Sequence, residues 1–597
     1  MWGDKILKIL GINGINDIFH DASATLIVDN KIIASVEEER FNRKKHSNGI
    51  PFNAINFCLN RSGLSFEDLD HVGYYLDPVV LKKTFVDDIV QKFNCPQDGL
   101  EYYSQVAKNI SNLRRILESH YSFNPNTTLH FLNHHLVHAS SAYYISGFNS
   151  SAILTIDGSG DRETCTLYSG NEQNITKISD FLVYPYSLGF IYTIFSDHLG
   201  LGWIEGPGKL MGLAGYGEPD LSQFEDIIYL SDDPGQPITI DLSFFNYHTG
   251  GSGFSSKGLS RFGQPRKSDQ PLEKKHYDLA ASVQLMLEKA IVHIVKKIPE
   301  LLPETKNLCL AGGVCLNVCT NRRIVDSQLF EHVFITPPAY DGGTSLGCAL
   351  YLNTQYTGFR NYAFDVYAGP DISKDFDIKS ALLKYPDQIN WELLSEPQLF
   401  DTASDYLVKN KIIGWVQGRM EMGPRALGNR SILTNAMNEN AKDLLNTRVK
   451  KREAFRPYAP SILKEESINW FNIAESPFML LEAKVPTDIA SRVPGIVHVD
   501  GTTRPQTVSR EKNFKYYMLI NAFYRKTGVP LVLNTSFNLH GEPVVNRPEE
   551  AINDFLLTDM DALFIDNYYI TKKNLIEKMI IKLKNTPRKN VGTDVKG

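Results

Sequence analysis

ILKILGINGINDIFHDASATLIVDNKIIASVEEER, residues 6–40, reads as strand, polar turn, strand, two-residue turn, strand. ILKILGI is an apolar run of strand length. SATLIV and KIIASVEEE flank Asp29-Asn30, a residue pair suited to the positive-φ corner of a tight hairpin. The plan returns at residues 151–182 as SAILTI, the turn DGSGDRE, TCTLYSG before Asn171, and NITKISDF. A βββ unit written twice, each copy with a glycine or acidic turn after its first strand, predicts a duplicated fold. Such turns expose backbone N–H groups that can cradle phosphate.

Further along, Leu279, Val283, Met286, Leu287 and Ile294 recur at helical spacing within Leu272–Lys297, and Pro299 is expected to end that helix. NLCLAGGVCLN and HVFITPPAYDGGTSLGCALYL each read as strand, Gly-Gly turn, helix. One such turn is an ordinary tight connection. Repeated in one domain, it points toward a nucleotide, because a turn without side chains lets the backbone approach phosphate closely. EGPGKLMG contains Gly-Lys but has neither the spacing of a P-loop nor its Ser/Thr, so Lys209 is at most a phosphate contact of another kind. Mixed text between Tyr356 and Asp375, with Gly358, Gly369 and Pro370, marks a junction between a first domain at 1–360 and a second at 376–597.

The composition narrows the class. With 597 residues, 42% hydrophobic and 22% charged, the chain is an ordinary multidomain globular protein. No apolar run reaches the ~18 residues of a membrane span, and the start lacks a signal peptide's features. A net charge of −6 gives no footprint for nucleic acid. Seven cysteines without a C-x-x-C pair fit free thiols in a reducing compartment, so a cytoplasmic location is expected.

Two features carry chemistry. NHHLVHASSAYYISG, residues 133–147, puts His134 and His138 four apart, on one face of a helix, where both imidazoles can reach one ion; His135 points elsewhere. On spacing alone the stretch reads equally as a close-packed helix with buried histidines. In the second domain, GWVQGRMEMGPRALGNRSI, RVKKREAFRPYAPSI and HVDGTTRPQTV interleave Arg419, Arg425, Arg430, Arg448, Lys450, Lys451, Arg452, Arg456 and Arg504 with glycine, proline and aromatic residues. That placement at strand ends favours an anion site over a solvated helix face, since guanidinium forks match phosphate oxygens.

Taken in order, GIN…FHDASA, EEERFNRKKH, HHLVHASSAY, DGSGD, GKLMGLAGYG, AGGVCLN, YDGGTSLG, GRMEMGPRALGNRSI, KKREAFRPYAP, HVDGTTRPQTV and NTSFNLHGEP make the chain resemble, nearly end to end, the O-carbamoyltransferases of natural-product and nodulation-factor biosynthesis. The departures are Cys315 where alanine is usual, Gly215 before Tyr-Gly, and Gly206-Pro207 ahead of Lys209; none removes a ligand or a charged group.

The resemblance implies an α/β protein with a duplicated actin/sugar-kinase-like N-terminal domain, similar to threonylcarbamoyl transferases. Its C-terminal α/β domain would be similar to threonylcarbamoyl-adenylate synthases. It implies that carbamoyl phosphate and ATP form carbamoyl adenylate, and that the carbamoyl group then passes to a hydroxyl of a small molecule from secondary metabolism. That acceptor class includes aminoglycosides, polyketides, cephalosporins, oligosaccharides and guanidinium alkaloids, and segments 76–130 and 222–268 are expected to shape its pocket. Carried over residue by residue, the resemblance makes His134, His138, Asp157 and Asp341 metal ligands. Iron(II) is the first choice, with manganese or zinc suited to the same donors. It places Gly158, Gly160, Lys209, Gly312, Gly313, Asn317 and Gly343 around the nucleotide. Arg425, Lys450, Arg456, Arg504, Ser536 and Asn538 would bind carbamoyl phosphate. His20 would be the base of the transfer step, in the pKa range to take a hydroxyl proton, with Lys45 as its electrostatic partner. Mg²⁺ would accompany ATP. No nucleic acid or membrane partner is expected, and a homodimer is left open. The alternatives are a tRNA-modifying threonylcarbamoyl relative and a nucleotide-binding regulator without chemistry. The tail from Lys572 to Lys584, with Leu575, Ile576, Met579, Ile580 and Leu583, reads as a packed helix.

Overall fold

In the computed structural model, which describes residues 6–15, 20–93, 97–251 and 253–573, the opening stretch forms β1 (Lys8–Asn13), β2 (Ser23–Val28) and β3 (Lys31–Glu37). Asp29 and Asn30 turn the β2–β3 hairpin with φ of 49° and 61°, the positive pair that a two-residue corner requires. β4 (His71–Tyr74) and β5 (Thr128–Phe131) complete a sheet ordered β3-β2-β1-β4-β5. β1 to β3 run antiparallel; β4 and β5 continue from β1 in parallel.

The second copy repeats this topology. β6 (Ser150–Ile156), β7 (Glu163–Asn171) and β8 (Asn174–Val183) are antiparallel. After a small hairpin of β9 (Ile228–Leu230) and β10 (Ile238–Ile240), β11 (Asn307–Ala311) and β12 (His332–Ile335) join β6 in parallel, giving β8-β7-β6-β11-β12. The same order and directions, twice, are the actin/sugar-kinase-like duplication. Helices His134–Tyr143 and Thr344–Thr357 pack against one another, the first lying on the second sheet and the second on the first. They approach so closely that a Cβ on Gly347 would lie 1.9 Å from the Val137 carbonyl oxygen.

The long helix runs Lys274–Leu301, so Pro299 sits inside its last turn and does not end it at Lys297. A proline there loses one hydrogen bond near the helix end, and the buried row Val283, Met286, Leu287, Ile291, Ile294, Val295 and Ile298 holds the rod in place.

The C-terminal part is built on β13 (Ile389–Leu393), β14 (Ile413–Val416), β15 (Arg430–Thr434), β16 (Ala459–Leu463), the short pair β17 (Ala483–Lys484) and β18 (Thr502–Thr503), β19 (Gln506–Val508), β20 (Leu531–Ser536), β21 (Ala562–Ile565) and β22 (Tyr568–Lys572). Eight of these make one mixed sheet, β13-β22-β21-β14-β15-β20-β16-β19, around its own core with Trp415, Tyr516, Phe523 and Phe537 fully buried. Three arginines tie the two parts together through backbone carbonyls. Arg40 donates to Gly423 O at 3.3 Å, Arg43 to Val544 O at 2.6 Å and Pro543 O at 2.8 Å, and Arg419 to Ile33 O at 3.1 Å. Among the described residues no helix is long and apolar enough to cross a membrane. Residues 574–584 of the expected tail helix lie outside the described residues.

Candidate functional site

Asn133 caps the helix His134–Tyr143, accepting from the Leu136 N–H at 3.0 Å, and so starts it with His134 in the first turn. His134 and His138 then share a face, with Nε2 atoms 3.1 Å apart. Asp157 follows β6 and Asp341 precedes the Thr344–Thr357 helix; both carboxylates reach the same point. His138 Nε2 is 3.0 Å from Asp157 Oδ2 and 3.5 Å from Asp341 Oδ1, and His134 Nε2 is 3.4 and 3.6 Å from the same atoms. Four donors placed ~2.1 Å from a common centre at tetrahedral angles stand about 3.4 Å apart, so the set fits one divalent ion. The imidazoles are fully buried and the carboxylates 14% and 13% exposed, so the open side faces past Asp157 and Asp341. Burial alone would lower the pKa of His138, but the two carboxylates raise it to about 9; burial would raise that of Asp157, but the histidines hold it well below the usual range. His135 is buried as well but bonds Thr155 Oγ1 at 2.7 Å, away from the set.

Beside these four side chains His20 Nδ1 meets Asp21 Oδ2 at 2.5 Å, and the other Asp21 oxygen meets His46 Nδ1 at 2.7 Å. Burial works against charge on His20, yet the Asp21 carboxylate wins, helped by Asp341 and Asp157, and the imidazole rises to about 9. Lys45 is ion-paired with Glu205, whose carboxylate also lies 3.9 Å from His46 Nε2.

A cavity of about 310 Å³ lies between the two parts of the chain. The N-terminal part lines it with Asp21, Lys45, His46 and Glu205, and the C-terminal part with Arg425, Lys450, Arg452, Arg456, Arg504, Ser536 and Asn538. Among the described residues, the only carboxylate within ion-pair distance of these five cations is Glu453, 3.7 Å from Arg456. Burial is the main reason that Arg425 falls to about 10 and that Lys450 and Arg504 fall well below their usual values; mutual repulsion adds to it. The Nε atoms of Arg425 and Arg504 are buried without a partner. Lys450 is held by Asn538 Oδ1 and Asn538 O, each at 3.0 Å, and by the Ser536 carbonyl. Buried, unneutralised and convergent cations are a site for an anion.

The other basic residues have structural work. Arg430 is fully buried and donates to the carbonyls of Gln417 at 2.7 Å and Asn429 at 2.9 Å; Arg419 holds Gly369 O at 3.1 Å. The residues assigned to the nucleotide divide similarly. Gly158 and Gly313 flank Asp157, and Gly158 N–H donates to its Oδ1 at 2.7 Å. Gly160 makes room for His134 and His135, Gly312 (φ +93°) passes Ile156 O, and Gly343 passes Pro338 O. Asn317 caps the helix Val318–Asp326 and bonds Gln284, both inside the fold. Lys209 is paired with Glu453 at 3.0 Å and lines a neighbouring cavity of about 660 Å³ with Arg266. Among the described residues, segments 76–130 and 222–268 line none of the 310 Å³ cavity; the second lines the neighbouring cavity through Arg266 and Ser268 and another of about 630 Å³ through Gln223, Arg261 and Phe262. Asp21, His46 and Glu205 carry no assignment from the sequence, and Arg452 figures there only among the basic residues that favour an anion site. Asp21 and His46 adjoin His20 and Lys45 in their motifs, which was the available signal.

The carbamoyltransferase N-terminus family model matches residues 8–350, and the carbamoyltransferase C-terminus model matches residues 404–572. The chain belongs to the carbamoyltransferase family. This carbamoyltransferase is 37% identical over 569 residues to the nodulation protein NolNO of Sinorhizobium fredii (strain NBRC 101917 / NGR234), across 94% of this chain and 80% of that one. It is 30% identical over 375 residues to the 3'-hydroxymethylcephem-O-carbamoyltransferase of Streptomyces clavuligerus, across 62% of this chain and 65% of that one. It is thus an enzyme homologous to O-carbamoyltransferases. Full-length HypF in the phosphate- and nucleotide-bound form overlaps 60% of this chain and 56% of its own, at 13% identity and a TM-score of 0.32.

Proposed function

We propose that this carbamoyltransferase uses ATP, carbamoyl phosphate and one water to make carbamoyl adenylate, the water splitting carbamoyl phosphate into carbamate and phosphate and the carbamate oxygen displacing pyrophosphate from ATP, and then transfers the carbamoyl group to a hydroxyl of a small-molecule natural product. The observation that carries this reading is the single cavity whose one wall holds five cations and whose other wall holds Asp21, Lys45 and His46. A donor bound by the first wall is presented to the second without leaving a partly enclosed space, which protects a reactive intermediate from water.

Arg425, Lys450, Arg452, Arg456 and Arg504 bind the anionic groups of the donor, and Ser536 and Asn538 orient Lys450 among them. Lys45 stabilises charge growing on the carbamoyl oxygen. His20 takes the acceptor's hydroxyl proton. The freed oxygen attacks the carbamoyl carbon, and AMP leaves with the electron pair of the broken C–O bond. When bound at His134, His138, Asp157 and Asp341, a divalent ion supplies Lewis-acid stabilisation of phosphate charge. Iron(II) is our first assignment, manganese or zinc fit the same donors, and Mg²⁺ accompanies ATP.

Arg504→Ala tests the division of labour. Losing one charge-assisted contact is worth roughly 1.5–3 kcal/mol, so trapped carbamoyl adenylate should fall about 10- to 100-fold with bound metal unchanged. Undiminished intermediate in the variant would refute the assignment. Phosphate and pyrophosphate release, measured with and without carbamoyl phosphate, separates the enzyme from a nucleotide-binding regulator. A gain of one carbamoyl group by mass spectrometry, across candidate hydroxyl compounds, identifies the acceptor class.

A further inference from the structure

His20, Asp21 and His46 form a second group of side chains of metal-ligating type. Their spacing is of another kind. Two donors on one ion at ~2.1 Å each, at right angles or wider, stand about 3.0 Å or more apart, as they do around His134 and His138. His20 and His46 approach Asp21 to 2.5 and 2.7 Å. Those separations leave no place for an ion between the atoms; they are charge-assisted hydrogen bonds. The group is built to hold protons.

Its backbone points the same way. Asp21 has φ of +64° and His46 +54°, left-handed conformations that residues with a Cβ adopt only where the surroundings hold them, and that gather at functional sites. The two loops are joined by Ala22 N–H to Ser47 O at 2.7 Å, and His46 N–H donates to Glu39 Oε2 at 2.8 Å. The Asp21 side chain is 7% exposed and has an imidazole on each oxygen. A carboxylate bonded through one oxygen can rotate; bonded through both it cannot.

We propose that Asp21 is a positioning residue for carbamoyl transfer, fixing His20 by its Nδ1–H so that Nε2 carries the lone pair, with His46 as the second anchor that locks the carboxylate. This rests on His20 being the transfer base. The acceptor proton goes to His20 Nε2, and Asp21 stays ionised and stabilises the resulting imidazolium.

The test uses the full chain, with two probes that need no identified acceptor. The first is the set of imidazole N–H protons in protein carrying ¹⁵N-histidine. The second is discharge of carbamoyl adenylate to water, read as AMP. Asp21→Asn should abolish two far-downfield Nδ1–H resonances, and His46→Asn should abolish one. Asp21→Asn should slow discharge about 10²- to 10⁴-fold while carbamoyl adenylate still accumulates. His46→Asn, whose amide can still donate to Asp21, should lose less than His46→Ala. Downfield resonances unchanged in Asp21→Asn would overturn the inference. So would equal loss in His46→Asn and His46→Ala, or a second metal ion per chain that disappears with Asp21. If Asp21→Asn discharges at the wild-type rate while His20→Asn does not, the inference alone falls. If His20→Asn also discharges at that rate, the base assignment falls and takes the inference with it.

Discussion

Replacing Arg425 by methionine should make the unliganded protein more stable and the anion site weaker at once. Arg425 is buried beside Arg456, and among the described residues it has no carboxylate within ion-pair distance. Its guanidinium is pushed down from the ordinary arginine range to about 10, first by burial and then by Arg456, a displacement equivalent to about 3 kcal/mol against the charged form. The folded value lies below the unfolded one. The penalty is therefore present in full at neutral pH and is relieved only as pH rises through about 10. Methionine keeps the unbranched stem and removes the charge, so the free protein should gain about 1–3 kcal/mol, less whatever packing is lost. The same change deletes a contact worth roughly 1.5–3 kcal/mol to a bound anion. The assay is thermal unfolding with and without inorganic phosphate, compared by direction because a two-part chain need not unfold in one step. Arg425→Met should melt higher than wild type without phosphate and gain less from its addition. A lower melting point together with an undiminished phosphate increment would refute the reasoning, because Arg425 would then be a structural cation with satisfied partners.

Elemental analysis of folded, anaerobically prepared variants should show metal lost from His134→Ala, His138→Ala, Asp157→Ala and Asp341→Ala but largely kept in His135→Ala, which bonds Thr155 instead. Metal lost only with His135 would overturn the helix-face argument. Gly160→Ala should also lower metal content, since its Cβ would lie 2.9 Å from the His134 and His135 side chains; full occupancy would show that the imidazoles can shift freely. Because His20 sits at about 9 under the influence of Asp21, and a base acts only when neutral, adenylate discharge should rise about tenfold per pH unit and level off near pH 9. A rate that falls through that range would make His20 an acid.

What the sequence determined by itself is what local pattern can encode. Alternation and the Asp29-Asn30 corner specified the hairpin, because side-chain period and positive φ are properties of adjacent residues. Writing the βββ unit twice announced the duplication, and the i, i+4 spacing put His134 and His138 on one face. The arginines show where local pattern stops. Arg419, Arg425, Arg430, Arg452, Arg456 and Arg504 look alike as text. Only the packed structure sends Arg430 to backbone carbonyls and leaves Arg425 and Arg504 facing a cavity with, among the described residues, no carboxylate within ion-pair distance of either. Pro299 failed as a stop because one missing hydrogen bond near a helix end weighs less than a buried apolar row. Asp21 became legible only when two loops closed on each other. His20 is Asp21's neighbour in the chain, but the hydrogen bond to His46, like the meeting of His134 and His138 with Asp157 and Asp341, joins separate segments, and such pairings are made by tertiary packing.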